Sequence, residues 1–179
     1  MADQDNQVDS IDKEYVAIVE EAIKNNLNLD IPNSTLNHAV FLSQKLIRES
    51  RTHIKILTGE LDSAYYDRVK DDLRDAVTRF CPTKGKIMII IWEKDAPVNR
   101  EFQEFVNSNR DTIEIKVANQ TDGLSHFLVS DSKRYRLEEP HSKQDLIDEN
   151  IKGTANFNNP EIASILEQNF DKIWSTITN

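Results

Sequence analysis

The run KIMIIIW, residues 86–92, constrains this chain more than any other stretch. It is continuously apolar, as a strand buried on both faces of a sheet is. The sequence on either side fits the same sheet. HIKILTG (53–59) is a short apolar strand ending at Gly59. LDSAYYDRVKDDLRDAVTRF follows as a helix, with Asp62 as its cap and Tyr66, Val69, Leu73, Ala76, Val77 and Phe80 on one face. Beyond the run, a helix from about Val98 to Asn109 carries Phe102, Phe105 and Val106. TIEIKV (112–117) alternates apolar and polar, so one of its faces is the more exposed. Strand, helix, strand, helix, strand predicts a parallel α/β sheet with right-handed crossovers.

The two ends of the chain read differently. Residues 1–9 read as a disordered tail. Ser10 caps a helix with Ile11, Tyr15, Ile18, Val19, Ala22 and Ile23 spaced by three and four. NNLNLDIPNS is a connector of turn residues, and Ser34 caps a second helix with Leu36, Ala39, Val40, Leu46 and Ile47 inward. Residues 10–50 are thus an N-terminal helical arm, ahead of an α/β domain over 51–179. Near the other end, SHFLVS (125–130) and KRYRLE (133–138) pair as a tight hairpin around Asp131 and Ser132. The acidic stretch EEPHSKQDLIDENIK follows, its acids solvated. Asn159 then caps, and Pro160 opens, a last helix whose apolar face is Ile162, Ile165, Leu166, Phe170, Ile173, Trp174 and Ile177.

A length of 179 residues suits one core with an added arm. The net charge of −9 and pI near 4.9 give no general attraction for nucleic acid or anionic membrane. Nucleic acid is therefore a disfavoured partner, and no membrane is expected. No run approaches the roughly 18 apolar residues of a membrane span. The opening MADQDNQVD is acidic and polar, unlike a secretory signal, which points to the cytoplasm. Cys81 is the single cysteine, so the chain holds no internal disulfide; it reads as a small buried hydrophobe. His38 and His53 have no ligand-like partners at useful spacing. Neither a metal site nor a cofactor is expected.

From about residue 53 to 175, the order of elements resembles one half of the phospholipase D superfamily fold. The pieces HFLVSDSKRYRLE, GTANFNNPEIA and FDKIW carry the likeness, and the two N-terminal helices lie outside it. The resemblance implies a mixed sheet flanked by helices. It also implies a site built from His-x-Lys-x4-Asp followed by Gly-Ser-x-Asn. In that chemistry His attacks phosphorus and a second His, from a second motif, protonates the leaving group. Lys and Asn hold the phosphate oxygens, and no metal takes part. A chain with one motif must pair with a second copy.

Two placements of the motif compete. HSKQDLIDENIKGTANF offers His141, Lys143 and Asp148, then Gly153, Thr154 and Asn156, but in a segment after Pro140 crowded with Glu138, Glu139, Asp145 and Glu149. The other placement sets the hairpin on the motif strand. Asp131 then matches the family Asp, His126 stands at the Lys position and Leu124 at the nucleophile position. This second placement keeps a strand where the fold needs one. It implies a decayed motif with no catalytic residue, and GTAN kept for its turn and capping value.

The binding candidates are then His126, Asp131 and Asn156, lining a remnant pocket, with Arg134 and Arg136 on one solvated strand face as a compact basic group. Loops at the carboxyl ends of the strands, Thr58-Gly59-Glu60 and WEKDAPVN, border any such pocket. The leading expectation is a non-catalytic binding, scaffolding or regulatory module that pairs with a protein partner or a second copy. The alternative is a metal-independent homodimeric phosphodiesterase or nuclease using His141, Lys143, Asp148 and Asn156. A role in bacterial defence and an acidic nucleic-acid mimic rank below both.

Overall fold

A computed structural model describes residues 11–59, 63–92, 100–118, 124–141, 145 and 150–177. The elements in order are α1 (Lys13–Lys24), β1 (Ile31–Asn33), α2 (Leu36–Glu49), β2 (His53–Thr58), α3 (Ser63–Phe80), β3 (Lys86–Ile91) and α4 (Arg100–Ser108). Then come β4 (Ile113–Val117), β5 (His126–Ser130), β6 (Arg134–Glu138), β7 (Gly153–Asn156) and α5 (Pro160–Thr176).

Seven strands form one mixed sheet in the order β1-β7-β6-β5-β2-β3-β4. The expected parallel core is present: β2 and β4 flank β3 in parallel, with Ile54 opposite Ile87 and Ile87 opposite Ile113. β5 adds to β2 antiparallel, and the hairpin β5–β6 pairs Ser130 with Arg134. Asp131 and Ser132 both take positive φ, 54° and 51°, the twist that tight hairpins require.

Alternation along the strands sends side chains to two cores. Ile54, Ile56, Ile87, Ile89, Ile91, Leu128 and Ala155 meet α1 to α4 through Val19, Leu46, Leu73 and Phe102. Leu57, Ile90, Phe127, Val129 and Tyr135 meet α5 through Ala163, Leu166 and Phe170. The apolar run is therefore covered on both sides, as its composition demands.

Several expectations are corrected. Asp12 caps α1, its carboxylate accepting from the Glu14 N–H at 2.8 Å, and Thr35 caps α2 by accepting from His38 at 3.1 Å. Ser34 is not that cap. The expected cap Asp62 lies outside the described residues. The segment read as a connector contains β1, which pairs antiparallel with β7. GTAN is that seventh strand, rather than a turn. Cys81 is exposed, because the chain leaves α3 through a short 3-10 turn, Cys81–Thr83, before it re-enters the sheet. Ile165 is 49% exposed and lies off the buried stripe of α5. Asn159 and Pro160 open α5 as expected, with the Asn159 side chain accepting from Ile162 N–H at 3.2 Å.

Candidate functional site

Sheet register builds the site. His126 opens β5 and faces Glu138 at the end of β6. Gly153 of β7 stands opposite Glu138, and Asn33 of β1 stands opposite Gly153. These four positions share one face of the sheet. A Cβ on Gly153 would lie 2.7 Å from the Leu137 carbonyl oxygen and 2.9 Å from Glu138 Cγ. Glycine there lets Asn33 reach across β7, so that its Nδ2 donates to Glu138 Oε1 at 2.6 Å.

Arg136, two residues back on the same face, donates from a guanidinium N–H to that same oxygen, also at 2.6 Å. Both partners are buried, Arg136 at 6% and Glu138 at 4% exposure. The Arg136 guanidinium also lies over the Tyr65 ring of α3, 5.5 Å from its centre. Just past β6, His141 places Nε2 3.3 Å from the other carboxylate oxygen, Oε2. Its ring stacks on His126, with centres 4.6 Å apart and planes 15° apart. On β2, Thr58 Oγ1 and the Gly59 N–H both lie 3.4 Å from His126 Nδ1. The Trp92 ring meets His126 edge-on at 5.6 Å. Thr58, Gly59 and Trp92 all lie at the carboxyl ends of the parallel strands, the edge where α/β sheets take ligands. Glu60 and residues 93–99 of the expected loops lie outside the described residues.

The charges here are mutually satisfied. Burial alone would push the Glu138 carboxyl up, but Arg136, His141, Asn33 and His126 outweigh it and hold the group at about 2. Burial pulls the Arg136 guanidinium down, but Glu138 and Tyr65 together outweigh it and raise it, so the guanidinium stays charged. His126 is pushed down to about 4, chiefly by burial and then by His141, against the pull of Glu138. At neutral pH the cluster thus holds one compensated ion pair and a neutral His126 imidazole.

Of the five expected binding residues, the structure gathers only His126 and Arg136, and Glu138 joins them. Arg136 is buried rather than on a solvated face, and Glu138 is likewise not solvated. Asp131 sits at the opposite end of β5. Its carboxylate accepts from the Thr52 N–H at 2.9 Å and the Thr52 hydroxyl at 2.8 Å. Arg134 pairs with Asp131 at 2.9 Å, so both belong to that end of the hairpin. Asn156 is opposite Tyr135, on the other face of the sheet, and donates to Asn28 and Asp30 at 2.8 Å each. The expected pocket of His126, Asp131 and Asn156 is therefore not assembled. His141 does reach the site, while Lys143 and Asp148 lie outside the described residues. The sequence reading passed over Glu138 and Asn33. A signal for Glu138 existed, since a hairpin turning at Asp131 and Ser132 sets His126 against Glu138 by counting alone.

No protein-family model matches this sequence, and no curated protein matches it. Solved structures do. NucT from Helicobacter pylori superposes with a TM-score of 0.56 at 12% identity, covering 86% of this chain and 98% of that one. Nuc from Salmonella typhimurium, a phospholipase D family member, gives 0.55 at 11% identity over 79% of this chain and 89% of its own. TrmBL2, an archaeal chromatin protein described as showing a novel mode of DNA binding, gives 0.64 at 11% identity over 92% of this chain. This chain spans 59% of the length of TrmBL2. The seven-stranded mixed sheet flanked by helices, with these overall superpositions, gives this chain a phospholipase D-like fold.

Proposed function

We propose that this chain is a non-catalytic phospholipase D-like module that works by binding, as a scaffold or regulator, and pairs with a protein partner or a second copy of itself. The motif strand supports this most. On the hairpin placement of the motif the nucleophile position falls on Leu124, which packs against the apolar cluster of Trp92 and Phe127. It has no atom that can attack phosphorus. On the same placement His126 stands at the Lys position; it is neutral and faces a buried carboxylate already tied to Arg136. A phosphate arriving there meets a neutral His126, an Arg136 already paired with Glu138, and the Glu138 carboxylate itself. The net charge of −9 keeps nucleic acid the less favoured partner.

A second reading has one observation in its favour. His141 stacks on His126 beside Glu138, so a histidine does stand at the site. In that reading His141 attacks phosphorus, Lys143 and Asn156 hold the phosphate, and Asp148 orients the nucleophile. The placement of Asn156 on the opposite face speaks against it. Hydrolysis of a generic phosphodiester and of single- and double-stranded DNA separates the two, run with and without excess EDTA on wild type, His126→Ala and His141→Ala. The expected result is no turnover in any sample. Turnover that survives EDTA and vanishes in His141→Ala would replace the first reading with the second.

A further inference from the structure

We propose that His126, Glu138 and His141 form a binding site for one divalent transition-metal ion of the zinc class. One donor atom from each residue lies within 4.8 Å of the other two. His141 Nε2 and Glu138 Oε2 already stand 3.3 Å apart. That is roughly the ligand-to-ligand edge of a tetrahedral ion with bonds of about 2.0–2.1 Å. Closing the remaining edges takes side-chain movements on the order of an ångström, within ordinary torsional adjustment.

The surroundings match those of a built site. The Glu138 and His141 side chains are only 5% and 9% exposed. Asn33 and Arg136 both bind Glu138 Oε1, which turns Oε2 toward His141. Such outer hydrogen bonds to a ligating carboxylate are what fix its geometry. The Gly59 N–H, donating to His126 Nδ1, the Thr58 hydroxyl beside the same nitrogen and the edge contact with Trp92 fix the orientation of the His126 ring. Two imidazoles and one carboxylate suit zinc, cobalt or nickel, and offer too few oxygens for calcium or magnesium.

Three protein ligands leave a fourth position for water or a ligand atom. A cleft of about 150 Å³, lined by Glu139, Pro140, His141, Asp145, Asn150 and Lys152, adjoins His141 and gives the ion a route in. An ion held there joins the segment after β6 to the starts and ends of the sheet strands. The inference stands whether or not the module catalyses anything.

The test uses the full chain, stripped with chelator and dialysed, then titrated with Co²⁺ and back-titrated with Zn²⁺. One equivalent of Co²⁺ is expected, with a visible absorption band that Zn²⁺ abolishes, and Zn²⁺ should raise Tm. His126→Ala and His141→Ala should each weaken binding at least tenfold, while His38→Ala, outside the cluster, leaves it unchanged. Glu138→Gln strands Arg136, so the histidine variants carry the test, with circular dichroism checking that they fold. Absence of one-equivalent binding, or unchanged affinity in both His126→Ala and His141→Ala, overturns the proposal and leaves the non-catalytic reading intact. Turnover that EDTA abolishes would overturn the non-catalytic reading and leave the ion site intact.

Discussion

Asp131 holds the end of the sheet far from the candidate site. Its carboxylate accepts from the backbone N–H groups of Arg51, Thr52 and His53 and from Arg134. Burial would raise its titration, but the bonds from Thr52, His53 and Arg51 outweigh that and lower it below 3.8. Glu167 of α5 behaves alike: burial raises it, while His53 and Ser132 lower it further, below 4.5. For both groups the folded value lies under the unfolded one. Each therefore contributes stability above its ordinary value, and that stability is lost as pH falls through the depressed folded value. Asp131→Asn should cost about 1–3 kcal/mol at pH 7 and flatten part of the acid limb. Denaturant curves from pH 7 to 3 check this, and an unchanged acid slope would refute it. The sequence showed Asp131 as a turn residue. Its backbone donors lie 78 to 80 residues away in the chain, so the latch it makes was invisible until β2 and the hairpin were brought together.

Among the elements, the long ones were legible and the short ones were not. α3 declares itself by Tyr66, Val69, Leu73, Ala76, Val77 and Phe80, all of them buried. β1 is three residues with Pro32 in the middle, and β7 is GTAN, poor in strand-forming side chains. Neither carries its own signal, because their pairing with each other and with β6 supplies the stability. Gly153 makes that pairing close. Gly153→Ala should cost about 1–3 kcal/mol, since the added methyl meets the Leu137 carbonyl and Glu138 Cγ and pushes Asn33 off the carboxylate. Chemical denaturation reads the loss, and a neutral result would mean that β1 is not held as described.

At the scale of the molecule, the sheet runs from the short edge β1 to the edge β4, with helices over both faces. Among the described residues, no helix is long and apolar enough to cross a membrane. Ile18, Leu27 and Leu29 of the N-terminal region are 42%, 39% and 42% exposed, which is apolar surface a second copy could cover. Self-association predicts a dimer mass by light scattering across micromolar concentrations. A monomer mass at every concentration would remove that part of the proposal.

The sequence by itself determined the parallel core, the hairpin at Asp131 and Ser132, and the closing helix from Asn159, because periodicity, turn chemistry and capping are local. Counting back from Asp131 also put His126 and Leu124 at the two motif positions, although the strand itself begins at His126 and leaves Leu124 ahead of it. Counting out from the hairpin turn already sets Glu138 opposite His126. Only the tertiary structure decided what else gathers there: Gly153 let Asn33 cross a strand, and the chain after β6 brought His141 back over the His126 ring. Such contacts depend on which strands lie side by side and how closely their backbones approach, and no window of sequence contains that distance.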